Sequence, residues 1–550
     1  MSQNRSDALR RFPSGFLTVF LFSFLAFSLG TAFVEIVKID VRFALFVEDM
    51  TKYALTVFPT INGEPYPDYP VTMTLIAWVL SAGGRFLNQW TLSLFSIFCG
   101  SLTLALTWLT GEKRKRGTGV IAASLMFMTL EFVTTIMGFG IDVPVMAAGA
   151  MILYMLEARP DARGAAPLFF LLLVFCFMIR GPLGLLLLGA AAGGWVLFAG
   201  DWKKVLIWGL TGAAAAALCM AGGYGLIHAA GGRELYKEFL TWQITSRMEA
   251  DDLFFYLFDG PIAFSPSTAF GIATLLTAAI RRKPRGARTV LLPLFGFLLM
   301  PLILLSIPGC KHLRYMMITV PAFALIGAWG IRMSFSLPRC RRVLRAVFRF
   351  LARYLWIAAL CAALGITLGM AAAARVWDLR MFRCALVFLF PLVGLTARKK
   401  PGLLHDILRT GVVIGLLGTV FIFPATTFRE LSEGFVRTAE QYRTGRLFFY
   451  RIGVDHEDLK YLQFLTPDDR ADAVYLNPFQ PPDDKYRKMY RQVGVEGLRD
   501  MRPGDLLVTR TRDEDYLQKD AAAYGQKMIF RARGKLGHKE YSVFELQSVP

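Results

Sequence analysis

Long apolar segments recur through the first 427 residues, and they constrain the fold more than any other feature. The 550 residues are 55% hydrophobic and only 19% charged, which is too apolar for a soluble protein of average composition. Most of the segments approach the length that an α-helix needs to cross a bilayer, and we count about thirteen of them. They cover 16–34, 91–110, 120–137, 143–156, 168–179, 183–198, 205–227, 262–280, 291–307, 316–331, 355–374, 386–395 and 412–423. The sequence therefore predicts an all-α polytopic membrane protein.

Basic residues are unevenly distributed between the loops that join these segments. When the loops are assigned alternately to the two sides, the basic clusters fall on the same side as the N-terminus. These clusters lie at 113–116, 281–288, 339–349 and 398–400. The positive-inside rule makes that side cytoplasmic, so the N-terminus is predicted to be cytoplasmic and the C-terminal tail periplasmic. The net charge of +20 is thereby explained by topology, and no nucleic-acid partner is expected.

The composition changes sharply after about Thr427, where the chain becomes more charged. Short apolar or alternating stretches, typical of β-strands, lie at 473–476, 506–509, 527–531 and 541–546. Arg502-Pro503-Gly504-Asp505 predicts a turn that enters one of these strands. We therefore predict a transmembrane domain over 1–427, with a first outer loop at 36–89, and a small soluble periplasmic α/β domain over 428–550.

The first outer loop is too long and too rich in proline to be a simple connection. Asp40 directly follows the first predicted span, where a carboxylate either has a functional partner or is a solvated helix-end charge. Asp68 lies between Pro67 and Pro70, whose fixed φ angles stiffen the backbone. It either faces a substrate or bonds its own backbone in a turn.

Further polar residues stand at the predicted outer ends of other spans. Asp142 begins the fourth segment, so it is either a ligand or an N-cap of the helix. Outer basic residues run against the positive-inside rule, and several together would form an anion site. They are Arg42, Lys52, Arg180, Lys237, Arg247, Lys311 and Arg314. Arg180 and Lys311 either bind a phosphate or extend to the lipid headgroups.

Taken in order, these residues resemble the GT-C membrane glycosyltransferases, specifically the ArnT-like aminoarabinose transferases and the dolichyl-phosphate-mannose protein mannosyltransferases. The matching positions are 40–43, Pro59, 62–66, 68–70, Asp142, 180–182, 254–256 and 311–315. Two positions depart from the pattern. Tyr69 stands where the aminoarabinose enzymes carry lysine, and Asp40 is a single acid where the family usually has two. The resemblance implies a GT-C-like fold with outer juxtamembrane helices.

The resemblance also implies an activity, namely inverting transfer of a sugar from a polyprenyl-phosphate lipid, such as undecaprenyl phosphate, to lipid A, another glycan or a protein. The reaction would take place at the periplasmic face of the bacterial inner membrane, among membrane lipids. A divalent metal cation is considered as a cofactor, although the His and carboxylate spacing has no ligand signature. A polytopic transporter or flippase of envelope lipids or glycans is the alternative, but it would place charges near the bilayer midplane.

The same resemblance assigns roles to individual residues in three groups. Asp40 and Asp68 are the predicted catalytic residues. The predicted ligands of the donor phosphate are Arg42, Arg180, Arg247, Lys311 and Arg314. The predicted substrate-binding residues are Tyr66, Tyr69, Asp142, Tyr256 and Tyr315.

Overall fold

The chain divides by its contacts into two units, which we name the helical unit and the sheet unit. The computed structural model describes residues 3–32, 34, 36, 40–53, 55–158, 164–243, 245, 254–280, 285–309, 311–334, 338–374, 386–387, 389–397, 402–427, 441, 445–452, 472–476, 488–536 and 539–547. The helical unit comprises Met1–Val34, Pro67–Ala77 and Ser93–Ala425, and the sheet unit comprises Glu35–Tyr66, Trp78–Leu92 and Thr426–Pro550. The predicted domain limit at 427/428 stays a prediction. Two parts of the first outer loop, Glu35–Tyr66 and Trp78–Leu92, belong to the same unit as the tail.

Helices dominate the described chain, and every predicted apolar segment overlaps one of them. They are α1 (Gln3–Thr31), α2 (Asp40–Tyr53), α3 (Thr72–Leu80), α4 (Gln89–Arg114), α5 (Thr118–Met128), α6 (Leu130–Met137), α7 (Val143–Ala158), α8 (Ala165–Arg180), α9 (Pro182–Ala199), α10 (Trp202–Gln243), α11 (Phe255–Ala263), α12 (Ser267–Ile280), α13 (Arg285–Ser306), α14 (Val320–Ser334), α15 (Pro338–Ala374), α16 (Leu389–Ala397), α17 (Leu403–Leu416), α18 (Phe423–Thr427) and α19 (Glu514–Ala523). A 3-10 helix at Leu313–Thr319 precedes α14, and a π-helix at Leu417–Ile422 continues α17.

Many of these helices are suited to cross a membrane by length and composition. Eight described helices are long and apolar enough, and up to ten spans result if each of two bent pairs is one span. The pairs are α5 with α6, bent by 70°, and α11 with α12, bent by 118°. Two further apolar helices, α7 and α8, are shorter. The polytopic fold is confirmed at this level, whereas the predicted count of about thirteen spans stays a prediction.

A tight connection between α8 and α9 positions the most important side chain of the helical unit. Arg180 is the last residue of α8, and Pro182 begins α9. Gly181 between them has φ +67°, a conformation that costs little only for glycine. Proline suits the first helical position, where its missing N–H would have no partner. The Arg-Gly-Pro triplet therefore ends one helix and starts the next within a single residue.

Helix α9 then packs closely against α13. At their crossing the backbones of Gly194 and Gly296 meet so closely that a Cβ on either residue would overlap the other's carbonyl. Small residues permit such close approach in membrane proteins. Helix α8 contacts α7, α9 and α10, so the end of α8 is held from several directions.

The sheet unit contains a mixed six-stranded sheet and a short hairpin. The strands are β1 (Thr60–Ile61), β2 (Glu64–Pro65), β3 (Leu447–Tyr450), β4 (Val474–Leu476), β5 (Arg491–Val493), β6 (Leu506–Arg510), β7 (Met528–Leu536) and β8 (Lys539–Leu546). The hairpin pairs β1 with β2, and the sheet order is β5-β4-β3-β6-β8-β7. Strands β3 to β6 pair in parallel, whereas β8 pairs antiparallel with β6 and β7.

The four predicted strands of the tail are confirmed as β4, β6, β7 and β8. The predicted turn also forms, since the Asp505 N–H donates to the Arg502 carbonyl at 2.9 Å and Gly504 has φ +90°. The sequence analysis did not predict β3 or β5. Part of the first outer loop contributes to this unit through its hairpin turn, where the Asn62 amide donates to the Met489 carbonyl at 2.7 Å.

Candidate functional site

A buried arginine is the centre of the polar cluster in the helical unit. The Arg180 side chain is 0% exposed. Its Nε donates to Asp142 Oδ1 at 3.0 Å and its Nη2 donates to the Tyr315 hydroxyl at 3.2 Å. The guanidinium carbon also lies 5.3 Å and 5.4 Å from the ring centroids of Tyr69 and Tyr315. Such burial is inconsistent with an arginine that extends to lipid headgroups.

One nitrogen of this guanidinium, Arg180 Nη1, is buried without a hydrogen-bond partner. A buried donor without a partner costs about 1–3 kcal/mol, so proteins normally satisfy it. The other contacts of Arg180 hold the guanidinium plane fixed, which also fixes the direction of the Nη1 donors. A ligand oxygen with negative charge would satisfy this atom.

Asp142 joins two arginines instead of capping α7. Its Oδ1 accepts from Arg180, and its Oδ2 lies 3.5 Å from Arg314 Nε without a hydrogen bond. Neither oxygen accepts from a backbone N–H of α7, so the N-cap interpretation is wrong. Two guanidinium groups thus face this one carboxylate, which cannot neutralise both of them. Arginine side chains also bind phosphate oxygens through charge-assisted hydrogen bonds.

Arg314 connects the buried cluster with the accessible surface. It lies in the 3-10 helix Leu313–Thr319, next to Tyr315, and its side chain is 21% exposed. Its guanidinium carbon is 5.8 Å from the ring centroid of Tyr315. Because Arg180 is buried and Arg314 is partly exposed, the positive charge of the cluster extends from the interior outwards.

Lys311 and Tyr256 lie beside this cluster and are joined to it through His312. Lys311 Nζ donates to the carbonyls of Ser306 at 3.0 Å and Pro308 at 2.8 Å, and it lies 5.7 Å from the Tyr256 ring centroid. An ammonium has three donors, so one remains for another acceptor. The Tyr256 hydroxyl accepts from the His312 N–H at 3.1 Å.

The His312 ring in turn lies edge-on to Tyr315, with 5.3 Å between the ring centroids. Residues at the ends of α7, α8 and α11 are thus brought together with the 3-10 helix. They are Asp142, Arg180, Tyr256, Arg314 and Tyr315.

Asp68 and Tyr69 belong to the same unit and are buried. The Asp68 carbonyl accepts a hydrogen bond from the Gln243 side-chain amide at the end of α10. Asp68 lies close enough to Arg180 for its charge to act on the guanidinium, although Asp142 acts more strongly. The Asp68 carboxylate thus lies near the arginine pair. Proton transfer beside a bound phosphate requires a carboxylate in such a position.

The remaining predicted residues that the structure describes lie in the sheet unit. Asp40 is the first residue of α2 and only 5% exposed, so it is not a solvated helix-end charge. Its Oδ2 accepts from Gln89 Nε2 at 2.7 Å. Arg42 Nη1 donates to the Tyr66 hydroxyl at 2.6 Å, and its guanidinium carbon lies 5.3 Å from that ring centroid. The Arg42–Tyr66 contact joins two predicted site residues.

Sequence reasoning missed two glutamines that bond the predicted catalytic aspartates. Gln89 donates to Asp40 in the sheet unit, and Gln243 donates to the Asp68 carbonyl in the helical unit. Each has an uncharged amide side chain at a helix end, so only its position beside an outer loop could have drawn attention to it. Arg247 lies outside the described residues. Among the residues that are described, no group of three or more His, Cys, Asp or Glu side chains could hold a metal ion.

Comparison with known proteins identifies the fold. No protein-family model matches the sequence, and no curated protein sequence matches it. The structure of ArnT from Cupriavidus metallidurans bound to undecaprenyl phosphate is similar over 98% of both chains, with a TM-score of 0.66 and 15% identity. The apo structure of that protein is similar over 98% of both chains, with a TM-score of 0.64 and 14% identity. The ArnT-like fold that the sequence motifs predict is therefore confirmed.

Proposed function

We propose that this chain, which has the fold of ArnT, is an inverting glycosyltransferase with a polyprenyl-phosphate-linked sugar as its donor. The acceptor is lipid A, another glycan or a protein, and transfer occurs at the periplasmic face of a bacterial inner membrane. One observation carries the proposal. A buried arginine, fixed by Asp142 and Tyr315, keeps Nη1 without a partner, next to a second arginine and a lysine.

The arginine cluster suits the leaving group of this reaction. When the bond between the sugar's anomeric carbon and the phosphate oxygen breaks, its electrons stay on that oxygen and the phosphate gains negative charge. Cations fixed in advance stabilise this charge best where water is excluded. Arg180, Arg314 and Lys311 are our donor-phosphate ligands in the helical unit. Arg42 and Arg247 retain the same predicted role.

The acceptor oxygen attacks the anomeric carbon from the face opposite the phosphate, which inverts the configuration. If this oxygen belongs to a hydroxyl group, a carboxylate must take its proton as the new bond forms. Asp68 and Asp40 are the candidates, and Asp68 shares a unit with the arginine cluster. If the acceptor group is a phosphate, it is already ionised, and the carboxylates would orient it instead.

Asp142 has a different role in this proposal from the one that the sequence predicts. Both of its oxygens face arginines, so it is a positioning residue that holds the two guanidinium groups. Tyr315 and Tyr69 pack against Arg180, and together with Tyr66 and Tyr256 they are proposed to bind the substrates through their rings and hydroxyls.

Reconstitution with a radiolabelled polyprenyl-phosphate sugar tests the activity. We expect label to move to an added lipid A, glycan or protein acceptor, and a transporter or flippase would form no new glycosidic bond. Asp68→Asn and Asp40→Asn should each abolish transfer to a hydroxyl acceptor without loss of protein from the membrane. Asp201→Asn is a matched control, because Asp201 is an exposed carboxylate paired with Lys204. Full activity in either test variant would remove that carboxylate from the catalytic set.

The phosphate assignment has its own test. Lys311→Ala should weaken use of the donor, because it removes a donor of charge-assisted hydrogen bonds. Lys237→Ala is its control, since Lys237 is an exposed lysine paired with Glu234 one helical turn away. If Lys311→Ala and Lys237→Ala weaken use of the donor equally, Lys311 would be reassigned to a structural role.

A further inference from the structure

A groove of about 760 Å³ lies between α15, α16 and α17 in the helical unit, and the proposed transfer reaction does not use it. Two arginines, Arg349 and Arg353, line it together with apolar residues that include Trp356, Pro391 and Leu395. The groove therefore combines positive charge with an apolar wall.

The positive charge of this groove is not neutralised by the described chain. Arg349 and Arg353 are four residues apart, so they lie on one face of α15. Both are exposed, and neither forms an ion pair with another described residue. Asp406 also lines the groove, but its side chain is 6% exposed and pairs with Arg409 at 3.6 Å. Arg353 contacts the ring of Tyr354, with its guanidinium carbon 5.5 Å from the centroid, and a negatively charged ligand would complement both guanidinium groups.

The position of the arginines along α15 indicates what that ligand is. Arg353 stands two residues before Leu355, where the predicted apolar segment begins, so we expect both arginines at the level of the lipid headgroups. The preceding part of α15 exposes Val343, Val347 and Phe350. Their spacing places them on one side of the helix, where they are available to apolar parts of a ligand or of the lipid.

We propose that this groove binds the headgroup of an anionic phospholipid from the leaflet at the basic, cytoplasmic side. The lipid phosphate contacts Arg349 and Arg353, and an acyl chain lies along the wall that Trp356 and Leu395 form. Basic pockets between transmembrane helices on the cytoplasmic side recognise such headgroups. A free phosphate ion would leave the apolar wall uncovered.

Lipid titration of the full-length protein tests the proposal. The purified chain is titrated with phosphatidylglycerol and, separately, with zwitterionic phosphatidylcholine, and bound lipid is counted by native mass spectrometry. We expect the double variant Arg349→Gln/Arg353→Gln to bind phosphatidylglycerol about thirtyfold more weakly and phosphatidylcholine unchanged. Arg341→Gln/Arg342→Gln removes the same charge from exposed positions of α15 that do not line the groove.

Each outcome decides the proposal. A selective loss in the groove variant supports it. Equal losses in both double variants would overturn it, because they would indicate diffuse attraction to a basic surface. Unchanged binding in the groove variant would overturn it as well. If the glutamine variant does not fold, Arg349→Lys/Arg353→Lys keeps the charge and should retain preference for phosphatidylglycerol over phosphatidylcholine, and absence of that preference would count against the groove.

Discussion

Replacing Arg180 with glutamine is the sharpest test of the arginine cluster. The change keeps a polar side chain but removes the charge that binds Asp142 at 3.0 Å and the donor that binds Tyr315 at 3.2 Å. It also removes Nη1, which has no partner in the structure. The substitution should therefore affect stability through Asp142 and ligand affinity through Nη1.

The two effects have different magnitudes. Removing one partner of a buried ion pair typically costs about 3–5 kcal/mol, because the other charge stays buried. Arg314 still lies 3.5 Å from Asp142, so we expect the lower end, about 3 kcal/mol. Loss of a hydrogen bond to a charged ligand costs about 1.5–3 kcal/mol. That corresponds to a roughly 10- to 150-fold weaker Kd for polyprenyl phosphate.

A second variant separates these effects. Asp142→Asn/Arg180→Gln removes the opposite charges together, so most of the stability lost in Arg180→Gln should return. Residues in direct contact couple by about 0.5–3 kcal/mol in such double-mutant cycles. The affinity for polyprenyl phosphate should not return, because Nη1 is still absent.

The cycle is completed by measuring thermal unfolding and polyprenyl-phosphate binding. Both measurements are made on the wild type, the two single variants and the double variant. Arg342→Gln, an exposed arginine on α15, controls for loss of one positive charge. A stable double variant that binds polyprenyl phosphate as tightly as the wild type would refute the assignment of Arg180 to the phosphate. Additive stability losses would refute the ion pair as a coupled unit.

Further substitutions test the framework around the site. Gly181→Ala should destabilise the protein by about 1–3 kcal/mol in thermal unfolding, because the backbone there has φ +67° and ψ −152°, a region essentially restricted to glycine. Gly296→Ala should lower the melting temperature without changing the Kd for polyprenyl phosphate at temperatures where the variant remains folded, because the added methyl group separates α9 from α13 at Gly194. In the sheet unit, burial and the hydrogen bond to Asp520 raise the pKa of Tyr450. The neutral Tyr450 side chain should therefore stabilise the folded state fully below about pH 10, and this stabilisation should decline at higher pH. Tyr450→Phe should remove the decline when the free energy of unfolding is measured against pH.

Local sequence was sufficient for much of the fold. The apolar segments predicted helices because a backbone within lipid must satisfy its own hydrogen bonds. The short apolar or alternating stretches of the tail predicted β4, β6, β7 and β8, because such runs are typical of strands that are buried on both faces or on one. Strand β3 escaped notice because a short, wholly apolar run such as Leu447–Tyr450 cannot be told from a helix segment by periodicity alone.

The partners in the site were decided by tertiary structure. The sequence marked Asp142, Arg180 and Tyr315 separately, but it left Asp142 as either a cap or a ligand. Arg180 bonds Asp142 across 38 positions and Tyr315 across 135, and helix packing brings these distant positions together. Periodicity determines which residues form a helix and which side is apolar. The neighbour of a polar helix end depends on contacts between helices, which no local pattern contains.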